Sequence, residues 1–224
     1  MKRYAPLIII GAVLVIALGG AYALIRNNRQ AERRPTNTAT PPATAGRTAS
    51  TYQPHQKGAA TSSVTIEEFG DLQCPPCKKL HEELKNVTAI QQGQVRFIFS
   101  HYPLPQVHAH AVAAAHATEA AALQNRFWEM QDYLYRNQEA WSRGGDVQGI
   151  FASYANTLGL DVERFLRDMN SPQVAERVRT DTRRGNAMGV KNGTPTVFFN
   201  NRELSPDDMT AARLNVLISE AMRK

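Results

Sequence analysis

Cys74 and Cys77 are the only cysteines in 224 residues, separated by Pro75 and Pro76. Two thiols at that spacing can close a disulfide, contribute to a metal site, or pass electrons to another protein. What surrounds them favours electron transfer. Val64 to Phe69 is branched or aromatic at most positions and reads as a short strand. Lys78 to Val87 places Leu80, Leu84 and Val87 on one helical stripe. Cys74 therefore falls at the amino end of a helix, where unpaired N–H groups and the positive end of the dipole stabilise an anion. A thiolate is such an anion, so its pKa falls and its reactivity at neutral pH rises. Pro75 and Pro76 occupy the first turn, where a missing N–H costs little and a fixed φ pre-forms the helix.

Two other uses of the pair carry less. A structural bridge across so short a loop removes little entropy from the unfolded chain. A structural zinc site takes four ligands, and His81 is the nearby candidate third.

The chain that carries the pair divides by composition. Tyr4 to Ile25 is an uncharged run of 22 residues rich in Leu, Ile, Val, Ala and Gly, long enough to cross a bilayer. Residues 1–26 read either as a retained transmembrane anchor or as a signal segment, with Ala21-Tyr22-Ala23 as the cleavage site. The full apolar length favours the anchor, and both readings export the remainder to the periplasm or beyond the cytoplasm. Residues 27–62, dominated by Thr, Ala, Pro, Gln and Arg, read as a flexible linker whose few large apolar groups cannot offset ordering entropy. Residues 63–224 read as one folded domain.

Charge follows the same division. Residues 1–60 hold eight Lys or Arg against one Glu, whereas residues 61–224 hold 18 basic and 19 acidic groups. The basic pI belongs to the anchor and linker, and nothing in the domain points to nucleic acid. Arginines beside the apolar run are placed to touch anionic lipid.

Within the domain, Gln94 to Ser100 reads as a second strand. From Gln106 to about Gly185 the pattern is helical, with four or five helices, the first spanning Val107 to Leu123. On that helix His108, His110 and His116 read as surface or domain-interface residues rather than a metal cluster. Thr194 to Asn200 is a strand with a proline near its start, and Met209 to Met222 is a final helix after Ser205-Pro206-Asp207-Asp208. Glu68 shares a strand face with Val64 and Ile66, so burial would raise its pKa; the plainer reading pairs it with Arg96.

Phe69-Gly70-Asp71-Leu72-Gln73-Cys74-Pro75-Pro76-Cys77, the segment Phe97 to Leu104, the alanine-rich helix running into Arg126-Phe127-Trp128, and Gly193-Thr194-Pro195-Thr196 together resemble the DsbA-like thiol–disulfide oxidoreductases of bacterial envelopes, over roughly residues 62–222. The resemblance implies an α/β thioredoxin fold with a helical insertion at about 105–187. It also implies a cis Pro195 packed against the active-site cysteines, with Thr194 offering backbone groups to a substrate strand, and a proton-relay role for Glu68 beneath the pair. Cys74, exposed and low in pKa, would form the mixed disulfide, and the more buried Cys77 would resolve it. No metal or other cofactor is implied. Substrates would be exported proteins with cysteines, and a membrane or envelope redox partner would recycle the pair. Dithiol oxidation leads and reduction is second; Pro76 stands where strong oxidants of the family carry His, which speaks against a very oxidising pair. A docking module without redox turnover is the alternative from another class.

Overall fold

The computed structural model describes residues 53–191 and 193–223. The expected apolar segment and most of the linker lie outside these residues. Among the described residues no helix is long and apolar enough to cross a membrane.

A five-stranded mixed sheet has the order β1-β3-β2-β4-β5. The central strand β2, Thr65–Gly70, runs parallel to β3, Arg96–His101, and antiparallel to β4, Thr196–Phe199. β5, Arg202–Glu203, closes one edge, and β1, His55–Lys57, closes the other by antiparallel pairing with β3. β1 is a correction to the sequence reading, which left residues 53–62 in the linker. Its side chains explain the difference. The His55 ring stacks on Phe127 at 3.5 Å and its Nε2 lies 2.8 Å from Glu119 Oε1. Gln56 Oε1 accepts from Arg96 Nε at 2.8 Å, and Lys57 Nζ sits 4.5 Å over the Trp128 ring. The segment is polar, so alternation of apolar residues could not reveal it.

Helices cover both sheet faces. α1, Pro75–Lys85, follows β2, and the single turn α2, Thr88–Gln91, leads into β3. Between β3 and β4 come α3 Ala111–Ala122, α4 Phe127–Arg136, α5 Gln138–Ser142, α6 Val147–Thr157, α7 Val162–Met169 and α8 Pro172–Met188. A short 3-10 turn, Pro206–Met209, precedes α9, Ala211–Met222. Asp146, Asp161 and Ser171 cap α6, α7 and α8 by accepting the N–H three residues on. The sequence reading ran α3 from Val107, but the helix starts at Ala111 with His110 as its N-cap. Likewise α9 begins at Ala211, capped by Thr210 whose hydroxyl accepts from Arg213 N, rather than at Met209.

Strand alternation sorts the core. Val64 and Ile66 join Phe97, Phe99, Val197 and the inward residues of α1, α4 and α9 in one large cluster. Phe69, Val190 and Phe198 form a smaller cluster on the opposite face, under the end of α8. Glu67, on that second face, is buried yet satisfied. Arg184 of α8 bonds its carboxylate, and Ser100 Oγ donates to it at 3.1 Å.

Candidate functional site

Cys74 is the N-cap of α1, with φ −75° and ψ 121°. β2 ends at Gly70, and the turn back is held by Cys74 N donating to Asp71 O at 3.1 Å. Pro75 and Pro76 supply no N–H, so Cys77 N–H is the first helix donor available to a group at the N-cap. Gln138, at the start of α5, donates through Nε2 to Leu72 O at 2.8 Å and Cys74 O at 3.0 Å. The helical segment between β3 and β4 is thereby bonded to the turn that carries the cysteines.

The structure shows the pair as two thiols. Hydrogen bonding from the Cys77 thiol is the largest influence on Cys74 and, against the cost of burial, brings its pKa from 9.0 to about 6. The Thr194 hydroxyl, buried and otherwise without a partner, and the Cys77 N–H act in the same direction. Cys77 goes the other way, pushed well above 9.0 by burial first and then by its bond to Cys74. One sulfur is therefore set up to be the anion and the other to stay protonated. Their accessibility differs less than the sequence suggested. Cys74 is 4% exposed and Cys77 0%, because the bend leading into β4 lies over Cys74, whose Sγ sits 3.2 Å from Thr194 O. The neighbouring Pro75 and Pro76 are the exposed members of the turn.

The Thr194–Pro195 peptide is cis, as the resemblance implied. Beside it opens a cavity of about 430 Å³, lined by Pro76, Leu80, Pro195, Leu204 and Met209, with Lys79 at the wall. Thr194 also lines this cavity, whereas Cys74 does not.

Beneath the pair, Glu68 is 1% exposed and its Oε1 has no hydrogen-bond partner. The plainer reading, a pair with Arg96, does not hold, since Arg96 is turned to Gln56 on the edge strand. Burial first, then the charge of Cys74, raises Glu68 from 4.5 to about 8. Room for the carboxyl depends on Gly70, where a Cβ would come within 2.7 Å of Glu68 Oε1 and 2.6 Å of the Phe99 ring. Tyr135 of α4 adds a second buried hydroxyl without a partner. Its pKa is driven up by burial and then by Glu68 and Cys77. Sequence reasoning missed Tyr135 and Gln138, because both come from the helical insertion and no local pattern ties them to the cysteines.

The histidines take separate partners. His81 turns to Asp132, 3.0 Å from Nε2 to Oδ1, and stacks on Tyr135. Among the described residues no three His, Cys, Asp or Glu side chains converge as a metal site. His108, expected on a helix, sits in the loop before α3 with Nδ1 2.8 Å from Asp71 Oδ2. His110 N donates to Gln73 Oε1 at 2.7 Å.

A family profile described as thioredoxin matches residues 50–220. Over 152 residues the chain is 36% identical to Na(+)/H(+) antiporter NhaA 1 of Mycolicibacterium gilvum, covering 66% of this chain and 23% of that one. It is 32% identical over 173 residues to NhaA 3 of Salinispora tropica, covering 75% and 26%. The chain thus spans about a quarter of the length of these curated relatives. Among solved structures, oxidised BdbD from Bacillus subtilis superposes with a TM-score of 0.64 at 22% identity, over 77% of this chain and 97% of that one. The thiol–disulfide exchange protein α-DsbA2 from Wolbachia pipientis gives 0.61 at 19%, over 76% and 86%. MdbA, a thiol–disulfide oxidoreductase from Corynebacterium diphtheriae, gives 0.57 at 17%, over 79% and 100%. With a profile match over residues 50–220, well over half of its length, the chain belongs to the thioredoxin family.

Proposed function

We propose that this protein is a thiol–disulfide oxidoreductase that makes disulfides in exported proteins. The observation that carries the reading is the asymmetry of the cysteine pair: Cys74 held to about 6 and Cys77 pushed above 9.0, three residues apart. A substrate thiolate attacks Cys74 Sγ of the oxidised pair, forming a mixed disulfide and releasing the Cys77 sulfur as leaving group. A second substrate thiolate attacks the substrate sulfur of that mixed disulfide and releases Cys74 as a thiolate. The substrate leaves oxidised by two electrons, and the pair holds them as one thiolate and one thiol.

Cys77 needs a proton as it departs and must lose one when the pair is reoxidised. Glu68, at about 8, carries that proton at neutral pH and supports a relay role. Thr194 and Pro195 border the cavity and would hold an extended substrate segment, while Pro75 and Pro76 fix the turn.

Direction follows from which redox state the fold favours. A stabilised thiolate favours the reduced pair, which makes the disulfide an acceptor of electrons. Cys74, drawn down from 9.0 to about 6, is inclined that way. This supports oxidation, with disulfide reduction on the same fold as the second reading. The apolar run at residues 4–25 supports anchoring in the cell membrane, with the domain outside the cytoplasm and a membrane or envelope partner removing the two electrons.

Equilibrating the protein in glutathione buffers tests the proposal. An oxidase will be found mostly reduced where thioredoxin is still largely oxidised, and the protein will oxidise a dithiol peptide in stoichiometric amount. A potential as reducing as that of thioredoxin would replace the oxidase with a reductase. Full cellular function in Cys74→Ser would replace both with a docking module.

A further inference from the structure

Asp71 is the first residue beyond β2 and is 0% exposed. Its carboxylate is bonded into the backbone of the redox turn. Oδ1 accepts from Gln73 N at 2.8 Å, and Oδ2 accepts from Leu104 N at 2.9 Å. Its own N–H lies 3.5 Å from Cys77 Sγ, and its carbonyl accepts from Cys74 N. Shape explains the carboxylate, since it closes the turn and pins the loop 103–110 to it. Charge is the difficulty, because a buried anion here opposes the Cys74 thiolate and works to raise its pKa.

The groups facing this network cannot relieve it. Cys74 on the turn, Cys77 on α1, Glu68 on β2 and Tyr135 on α4 are all anionic when ionised, and His110 on the loop presents its backbone N–H to Gln73. His108 is different. Its Nδ1 meets Asp71 Oδ2 at 2.8 Å, and its side chain is 19% exposed, the one basic side chain placed against this carboxylate among the contacts described.

We propose that His108 is a positioning residue of the redox site that acts through Asp71, holding the carboxylate in the turn and, as imidazolium, cancelling the charge that opposes the Cys74 thiolate. The inference rests on the redox reading of the pair. It makes the loop before α3 part of the reactive centre, although no atom of that loop reacts.

Titrating the Cys74 thiolate of the reduced protein by ultraviolet absorbance separates the two readings, because it needs no substrate. His108→Ala and His108→Gln should both raise the midpoint by about one pH unit, a tenfold drop in thiolate below it. His108→Gln keeps a donor for Asp71 but no charge, so it isolates the charge and also serves if His108→Ala fails to fold. Asp71→Asn should lower the midpoint, and adding His108→Gln to it should raise it by less than in the unaltered protein, because the ring has lost the carboxylate that favours its charged form. A midpoint in His108→Gln equal to that of the unaltered protein would overturn the proposal and leave His108 a structural clamp. The same follows if His108→Gln has its full effect without Asp71. Absence of oxidase turnover in the unaltered protein would remove the proposed function while leaving this titration pattern readable.

Discussion

Glu67 and Glu68 are neighbours on one strand, both buried, and they differ in everything that decides their chemistry. Strand alternation sends them to opposite faces of the sheet. Glu67 meets Arg184 and Ser100, and both of its carboxyl oxygens are bonded. Glu68 meets Phe99, Val197 and the underside of the cysteine turn, keeps an unpartnered oxygen, and holds a proton to about pH 8. A buried carboxyl that is fully bonded ties two elements together. One left partly unbonded becomes a proton store. A single residue of register separates structure from reactivity.

The largest effect should come from separating the two faces by activity. Cys74→Ala should lower catalysed oxidation of a dithiol peptide by about 1,000-fold or more, whereas Glu67→Gln should leave the rate per folded molecule unchanged. A comparable loss in Glu67→Gln would erase the distinction.

Next, Arg184→Met strands the Glu67 charge in the sheet and should cost about 3 kcal/mol in urea unfolding, as breaking buried pairs does. Its oxidation rate should be retained at temperatures where it is folded.

Glu68→Gln should act through pH. The folded pKa, about 8, lies above the ordinary 4.5, so the folded state binds the extra proton between those values. Stability of the reduced protein therefore falls as pH rises through that window. The variant removes this slope. It should match the unaltered protein near pH 4 and exceed it above pH 8 by on the order of 5 kcal/mol, read as melting temperature against pH.

The smallest effect is expected at Tyr135→Phe. Deleting a buried hydroxyl that has no partner should change stability by less than about 1 kcal/mol, and in the stabilising direction. A loss of 2 kcal/mol or more would mean that the hydroxyl is bonded, and the chamber under Cys77 would need a different description.

Much of this was legible from the residues alone. The change of period across Cys74 and Cys77 located the strand, the turn and the helix to within three residues at each end of the helix. Thr194-Pro195 was placed beside the sulfurs only through resemblance, since 120 residues separate it from Cys74. The edge strand at His55–Lys57 was hidden because its contacts are a stacked ring, a cation over Trp128 and two polar bonds, none of them periodic. His108 was misread for a related reason. Alanine-rich sequence on its C-terminal side favours helix, but Asp71, thirty-seven residues earlier, takes the Leu104 N–H and the His108 ring and holds the segment as a loop. Long-range polar bonds decided these places, and hydrophobic pattern decided the rest.

The asymmetry of the cysteines is tested most directly by titrating the reduced protein and following thiolate absorbance. A step with a midpoint near 6 is expected, lost in Cys74→Ser, while Cys77 stays protonated past 9.0. A single step near 9.0, or a step near 6 that survives Cys74→Ser, would contradict it.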